Sequence, residues 1–318
     1  MILPTNDFAK QAGVISIPSV LPDLAVVIVT YNSANVVTGL LDSIPAALDG
    51  LQADIVVIDN DSVDGTADMV AARNGCRVVS SANVGYAAGI NRGVAEAARA
   101  DAILALNADV RLGEGSVRPL LDALKLPGTG IVVPQLRHPD GLLQRSLRRE
   151  PTLLRSLGLA GTRVPALAEL VSAAADYSRA HLVDWAAGAV VMMSRACFDA
   201  VGGWDESFFI YSEETDLSLR ARDLGLLTRY EPRSVAFHIG GASGQSEITY
   251  AMQVVNRVRL YRRRHGAAAS WLYYLLIIGG QLKWIACGKR ASRFAVAALL
   301  RPSLRPKQLG CSGRILPQ

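Results

Sequence analysis

Short apolar runs rich in β-branched residues recur from residue 24 onward: Leu24 to Val29, Ile55 to Ile58, Arg77 to Val79, Ala102 to Leu106 and Ile131 to Val133. Longer amphipathic stretches separate them, with apolar residues returning at helical spacing. Runs apolar on both faces predict buried strands of a mostly parallel sheet covered by helices on each side. Ligands of such sheets gather beyond the carboxyl ends of the strands, so the residues following each run are where chemistry is expected. Residues 135–183 break this rhythm and read as a partly helical insertion. A second ordered block runs from Trp185 to His238, and helical patterning resumes from about Gln245.

Charge changes the picture at one end. Residues 251–318 hold 13 Lys and Arg and no Asp or Glu, leaving 20 basic and all 28 acidic residues to the rest, so the body is −8 and the tail +13. Such asymmetry calls for a polyanionic partner. The run from Ala267 to Ile278 is too apolar for a nucleic-acid groove and is bracketed by Arg262-Arg263-Arg264 and Lys289-Arg290. An anionic membrane surface is therefore expected to meet residues 251–318, and nucleic acid is not. Gln281 and Lys283 interrupt residues 267–287, which favours a helix lying in the interface over one that spans. A mean hydropathy of +0.25 agrees with membrane contact. The four cysteines are scattered without metal-ligand spacing, and the first twenty residues lack the pattern of a secretory leader, so a cytosol-facing site is expected.

Polar clusters do follow the strands. Thr30-Tyr31-Asn32 follows the first, and Asp59-Asn60-Asp61-Ser62-Val63-Asp64 the second. A carboxylate there suits a nucleobase or ribose hydroxyl, while Ser62 or Asp64 would equally cap the next helix. After the third strand, Asn83, Gly85, Gly89, Asn91 and Gly93 form a glycine stripe that lets backbone approach a ligand or a strand. It is neither a phosphate-binding loop nor a dinucleotide fingerprint. Asn107-Ala108-Asp109 ends the fourth strand; it would suit Mg²⁺ or Mn²⁺ shared with a diphosphate, or a cap for a helix over Gly113 to Leu124. Four carboxylates next to aromatics mark Gly202 to Arg220, with Trp204, Asp205, Glu213, Glu214 and Asp216. A helix starting near Ser212 would put Glu213 and Glu214 in its first turn, where a partly buried glutamate suits a general base, and would pair Asp216 with Arg220. His238 ends a run before Gly240-Gly241, where it would be structural or a further metal contact.

Taken together, Thr30-Tyr31-Asn32, Ile58-Asp59-Asn60, the Asn83 to Gly93 run, Asn107-Ala-Asp109, Gly188-Ala189, Gly202 to Arg220 and His238 resemble glycosyltransferase family 2, and within it bacterial rhamnosyltransferases. The resemblance covers residues 24–243 in the family's order. It implies a GT-A fold and inverting transfer from a nucleotide sugar. By it, Thr30, Tyr31, Asn32, Asp59, Asn83, Gly85, Asn91 and Asn107 would bind the nucleotide sugar, and Asp109 and His238 the metal. Trp204, Asp205 and Glu213 would border the acceptor, with Glu214 as base. Asn107 and Glu214 each stand where relatives commonly carry Asp. The resemblance implies a nucleotide-binding half over residues 23–134 and an acceptor half over 135–244, after an extension of residues 1–22 and before a membrane-associating tail from 245. A sugar, on this likeness L-rhamnose from dTDP-rhamnose, would pass to a glycan or polyprenyl-diphosphate-linked acceptor on the cytoplasmic face of the membrane. The alternatives are a UDP-hexose donor and a catalytically silent scaffold that binds nucleotide sugars.

Overall fold

The computed structural model describes residues 22–159, 162, 164–240, 246–311 and 315. The expected extension lies almost wholly outside them. In chain order the strands are β1 (Leu24–Thr30), β2 (Ala53–Asn60), β3 (Arg77–Ser81), β4 (Ala102–Asn107), β5 (Val110–Leu112), β6 (Thr129–Arg137), β7 (Leu147–Arg148), β8 (His181–Val183), β9 (Trp185–Ala186), β10 (Val190–Ser194) and β11 (Leu227–His238). The helices are α1 (Val37–Leu48), α2 (Thr66–Ala71), α3 (Tyr86–Glu96), α4 (Val117–Leu124), α5 (Leu153–Ser156), α6 (Arg195–Val201), α7 (Glu213–Asp223), α8 (Glu247–Arg264), α9 (Ala267–Ala286) and α10 (Ala291–Leu300).

One mixed sheet organises the molecule, in the order β3-β2-β1-β4-β10-β6-β11-β5 with β8 beside β11. The pairs β3-β2, β2-β1 and β1-β4 are parallel, β10 runs antiparallel to β4 and β6, and β11 is parallel to β6. Alternate residues of β1 explain why its sequence is apolar throughout. Leu24, Val26 and Ile28 pack with α1 and α4 on one face, and Val27 and Val29 with α3 on the other. The glycine stripe serves this packing. A Cβ on Gly93 would stand 2.2 Å from Val27, and one on Gly89 2.9 Å from Val29. The stripe therefore lets α3 sit against a strand.

One of the capping alternatives is corrected. The chain after Asp109 enters β5, and α4 begins only at Val117 behind Ser116, so Asp109 caps no helix. The N-cap position of α2 is Gly65, and Asp64 just before it accepts from the first helical N–H, that of Thr66; both Ser62 and Asp64 also tie the β2 loop to the β1 loop. The tail is helical and packs against the preceding part. Its helices build an apolar cluster with Tyr250, Val255, Tyr273 and Leu299 that takes in Leu153, Phe209, Ile210 and Tyr211 of the preceding part. Among the described residues no helix is long and apolar enough to cross a membrane, and α9 leaves Trp271, Leu275 and Leu282 exposed.

Candidate active site

The loops after β1 and β2 are one hydrogen-bonded unit. Thr30 Oγ1 donates to Asp59 Oδ1 at 2.8 Å, and Ser62 donates to the same carboxylate from its hydroxyl (2.6 Å) and its N–H (3.0 Å). The amide of Asn32 donates to Ser62 Oγ, and Asn32 Oδ1 accepts from the Val63 N–H. Asn32 and Asp61 hold left-handed φ angles of 48° and 63°, which short polar side chains tolerate. Buried Asp59 is thus a fixed hydrogen-bonding anchor, while Tyr31, 48% exposed, presents its ring at the carboxyl edge of the sheet. Asn83 accepts from the Gly85 N–H. Asn91 is committed elsewhere. It donates to the Trp204 carbonyl (2.8 Å) and Glu206 and accepts from the Trp204 N–H (2.9 Å), joining the two halves of the domain.

On the neighbouring strand, the β4–β5 turn carries Asn107 and Asp109, and β11 ends at His238 beside β5. His238 Nε2 and Asp109 Oδ1 are 3.3 Å apart. Gln144 Oε1 lies 3.2 Å from His238 Nδ1, so a neutral ring places its proton there and turns the Nε2 lone pair toward the carboxylate. Two facing lone pairs need a cation or a proton between them. One carboxylate and one imidazole suit Mg²⁺ or Mn²⁺, and among the described residues no cluster of three or more His, Cys, Asp or Glu stands ready to hold a metal. A metal here would fit only with other ligands from the donor's diphosphate.

The other carboxylates start α7. Glu213 is 6% exposed and Glu214 is partly buried, and one oxygen of each has no hydrogen-bond partner among the described residues. Burial pushes Glu213 well above the usual carboxylate range, and the neighbouring Glu214 charge adds to this. Burial also raises Glu214, and the N–H groups opening the helix and the Arg148 charge only partly offset it. The pair therefore holds a proton more readily than an exposed pair would, as a general base working near neutrality requires. Asp216 has a structural role: Arg220 binds it at 2.6 Å and also donates to the Val201 and Gly203 carbonyls.

The turn into α7 is strained. Tyr211 and Ser212 both take left-handed φ angles, 68° and 75°, costing about 1–3 kcal/mol each for side-chain-bearing residues. Among the described residues, three hydrogen bonds from α3 and α8 help to hold it. The Tyr86 N–H donates to the Phe209 carbonyl at 2.7 Å, and buried Asn256 of α8 donates to the carbonyls of Ile210 and Tyr211, both at 3.0 Å. Gly85 permits the first, because a Cβ there would stand 2.4 Å from the Phe209 oxygen. Gly188 leaves room for Glu214 in the same way, with a Cβ reaching 3.2 Å from the glutamate's own.

One residue near these carboxylates was passed over by the sequence reading. Tyr86 is a half-buried tyrosine whose buried hydroxyl has no hydrogen-bond partner among the described residues, and burial and then the charges of Glu213, Glu214 and Asp109 raise it. An aromatic opening a helix of small residues was the signal for it. Asn256, a polar residue on the buried side of α8, was likewise missed. Trp204 is core rather than presented to an acceptor. Trp204 is 2% exposed and meets Tyr86 edge to face, and Asp205 caps a short 3₁₀ turn and pairs with Arg263 at 2.5 Å.

Comparison with known proteins agrees with this geometry. The family model "Glycosyl transferase family 2" matches residues 25–170. N-acetylglucosaminyl-diphospho-decaprenol L-rhamnosyltransferase of Mycobacterium tuberculosis is 31% identical over 68% of this chain and 75% of its own length. A low-salt glycan biosynthesis hexosyltransferase of Haloferax volcanii is 29% identical over 64% and 63%. The mannosyltransferase PcManGT of Pyrobaculum calidifontis, solved with GDP-Man and Mn²⁺, has a TM-score of 0.52 at 17% identity, over 89% of this chain and 76% of that one. GalNAc-T7, solved with UDP, GalNAc and Mn²⁺, has a TM-score of 0.58 at 18% identity over 76% of this chain, which spans only 47% of it. The chain belongs to glycosyltransferase family 2 and has the GT-A fold.

Replacing Asn256 with Ala removes two of the three hydrogen bonds from α3 and α8 to the strained turn. The expected outcome is a fall in kcat of roughly 10- to 100-fold, as for a misplaced catalytic group, with nucleoside diphosphate affinity by calorimetry unchanged. A wild-type kcat would show that the turn needs no clamp.

Proposed function

We propose that this family 2 glycosyltransferase moves L-rhamnose from dTDP-rhamnose to a polyprenyl-diphosphate-linked sugar at the cytoplasmic face of the membrane. The carrying observation is that the Asp109–His238 pair follows Asn107, whose N–H donates to the Ala189 carbonyl, while Glu214 packs on the adjacent Gly188. The name of the Mycobacterium tuberculosis relative supports the sugar and the acceptor class. Tyr31, Thr30 and Asp59 line the nucleoside side. Asp109 and His238 are the residues that would hold a divalent cation together with the donor's diphosphate, and the cation would supply charge neutralisation to the leaving group. Glu214 takes the proton of the acceptor hydroxyl as its oxygen bonds to the anomeric carbon. The bond from that carbon to the diphosphate oxygen breaks with its electron pair, and the centre inverts. Glu213, kept protonated, and the Tyr86 hydroxyl are the donors beside the reacting groups.

The membrane contact falls on α9 and its basic flanks. Exposed Trp271, Leu275 and Leu282 supply apolar area, and Lys283, Lys289 and Arg290 the charge that anionic headgroups attract. Flotation with phosphatidylglycerol vesicles should capture the protein at low salt and lose it at high salt. Equal capture by neutral vesicles would remove the electrostatic part.

Transfer should require Mg²⁺ or Mn²⁺ and collapse in both Asp109→Ala and Glu214→Gln, each still folded by circular dichroism, and dTDP-rhamnose should be the preferred donor. Wild-type turnover in both variants would sink the assignment. Preference for a UDP-sugar would change the donor, and nucleotide binding with no transfer to any lipid-linked acceptor would favour the silent scaffold that Asn107 and Glu214 leave open.

A further inference from the structure

A cavity of about 250 Å³ lies between the start of α7 and the tail helices. Glu214 forms part of its wall from one side and Trp185 lines it from β9. Tyr250 and Arg257 come from α8, and Gln281 and Trp284 from α9. We propose that this cavity is the subsite for the acceptor's terminal sugar, so that the C-terminal helices are part of the active site and set acceptor specificity. The proposal rests on the glycosyltransferase reading above and adds its acceptor chemistry.

Three features point to a carbohydrate ring. Indole faces stack on the apolar C–H face of a pyranose, and the cavity has two, Trp185 and Trp284. Trp185 is fixed by donating from Nε1 to the Arg149 carbonyl at 3.0 Å, and Trp284, 51% exposed, stands at the rim. Gln281 is pre-oriented for a hydroxyl: its Oε1 accepts from Tyr250 at 3.0 Å, which leaves the amide nitrogen as the donor. Charge is balanced. Arg257 is ion-paired with Glu169 and donates to the Tyr273 hydroxyl at 2.9 Å, so the wall suits a neutral ring better than a phosphate. Size sets the occupant's length, because the volume falls below the ~300–1,000 Å³ of ordinary ligand pockets and admits one sugar unit. Glu214 in the wall is placed where a hydroxyl of that unit would need its base.

The test uses the full chain and a water-soluble probe, a short-chain prenyl-diphosphate N-acetylglucosamine, without vesicles so that membrane binding does not enter. Gln281→Ala and Trp284→Ala should each raise the acceptor KM about tenfold, with nucleoside diphosphate affinity by calorimetry unchanged and Trp284→Phe recovering most of the loss. Unchanged acceptor KM in both Ala variants, or an effect seen only when vesicles are added, would overturn the subsite. Calorimetric titration of the same probe in the presence of nucleoside diphosphate and Mn²⁺ decides the matter independently of turnover. Binding by the wild type that Trp284→Ala loses supports the subsite even if no donor is transferred, an outcome that would instead overturn the reaction assigned above. No binding by the wild type rejects the subsite.

Discussion

Two adjacent glutamates at the start of α7 are held largely out of water with no cation paired directly to them, and the rest of the site is arranged around the consequences. Burial makes the ionised forms costly and the Arg148 charge only partly offsets this at Glu214, so the pair retains protons to a higher pH than exposed carboxylates. The chain reaches this arrangement through two successive left-handed residues, Tyr211 and Ser212. Neither would hold that conformation alone. It persists because α3 from the nucleotide side and α8 from the tail each hold carbonyls of the same turn. The carboxylates are thereby positioned by elements more than a hundred residues apart in the sequence.

That dependence recasts the tail. Its +13 charge and exposed apolar stripe suit an anionic surface, yet its buried faces complete the core around the catalytic turn and one wall of the adjoining cavity. If the acceptor is lipid-linked, one helical unit then serves both to bring the enzyme to its substrate and to shape the place where the substrate's sugar rests. A sequence change in α8 or α9 is expected to alter acceptor choice as readily as membrane affinity.

Much of the fold was legible because parallel strands buried on both faces leave continuous apolar runs, and β1 to β4 and β6 fall on the five runs the sequence shows. Asp109 and His238 were legible as polar residues at strand ends, and Glu213 and Glu214 as acids in a first helical turn. What escaped were residues whose role exists only across long separations. Tyr86 gains its importance from Glu213, Glu214 and Asp109, and Asn256 from the carbonyls of Ile210 and Tyr211, and no local pattern encodes either meeting. Trp204 misled for the converse reason: an aromatic beside a glycine pair looks like a ligand contact, but its ring is core. The glycine stripe was an ambiguous signal, since close approach to a ligand and close approach to Val27 and Val29 demand the same missing Cβ.

The central claim is that the raised Glu214 carboxylate is the base while Glu213 stays protonated. The pH dependence of kcat/KM in the wild type and in Glu213→Gln tests it most directly. Because the base must be ionised and burial raises it, activity should be lost, as pH falls, at a value above the ordinary glutamate pKa of about 4.3. Glu213→Gln should retain transfer with the same acid limb, since an amide replaces a carboxyl that was already neutral. An acid limb at or below the ordinary glutamate value, or loss of transfer in Glu213→Gln, would contradict the account.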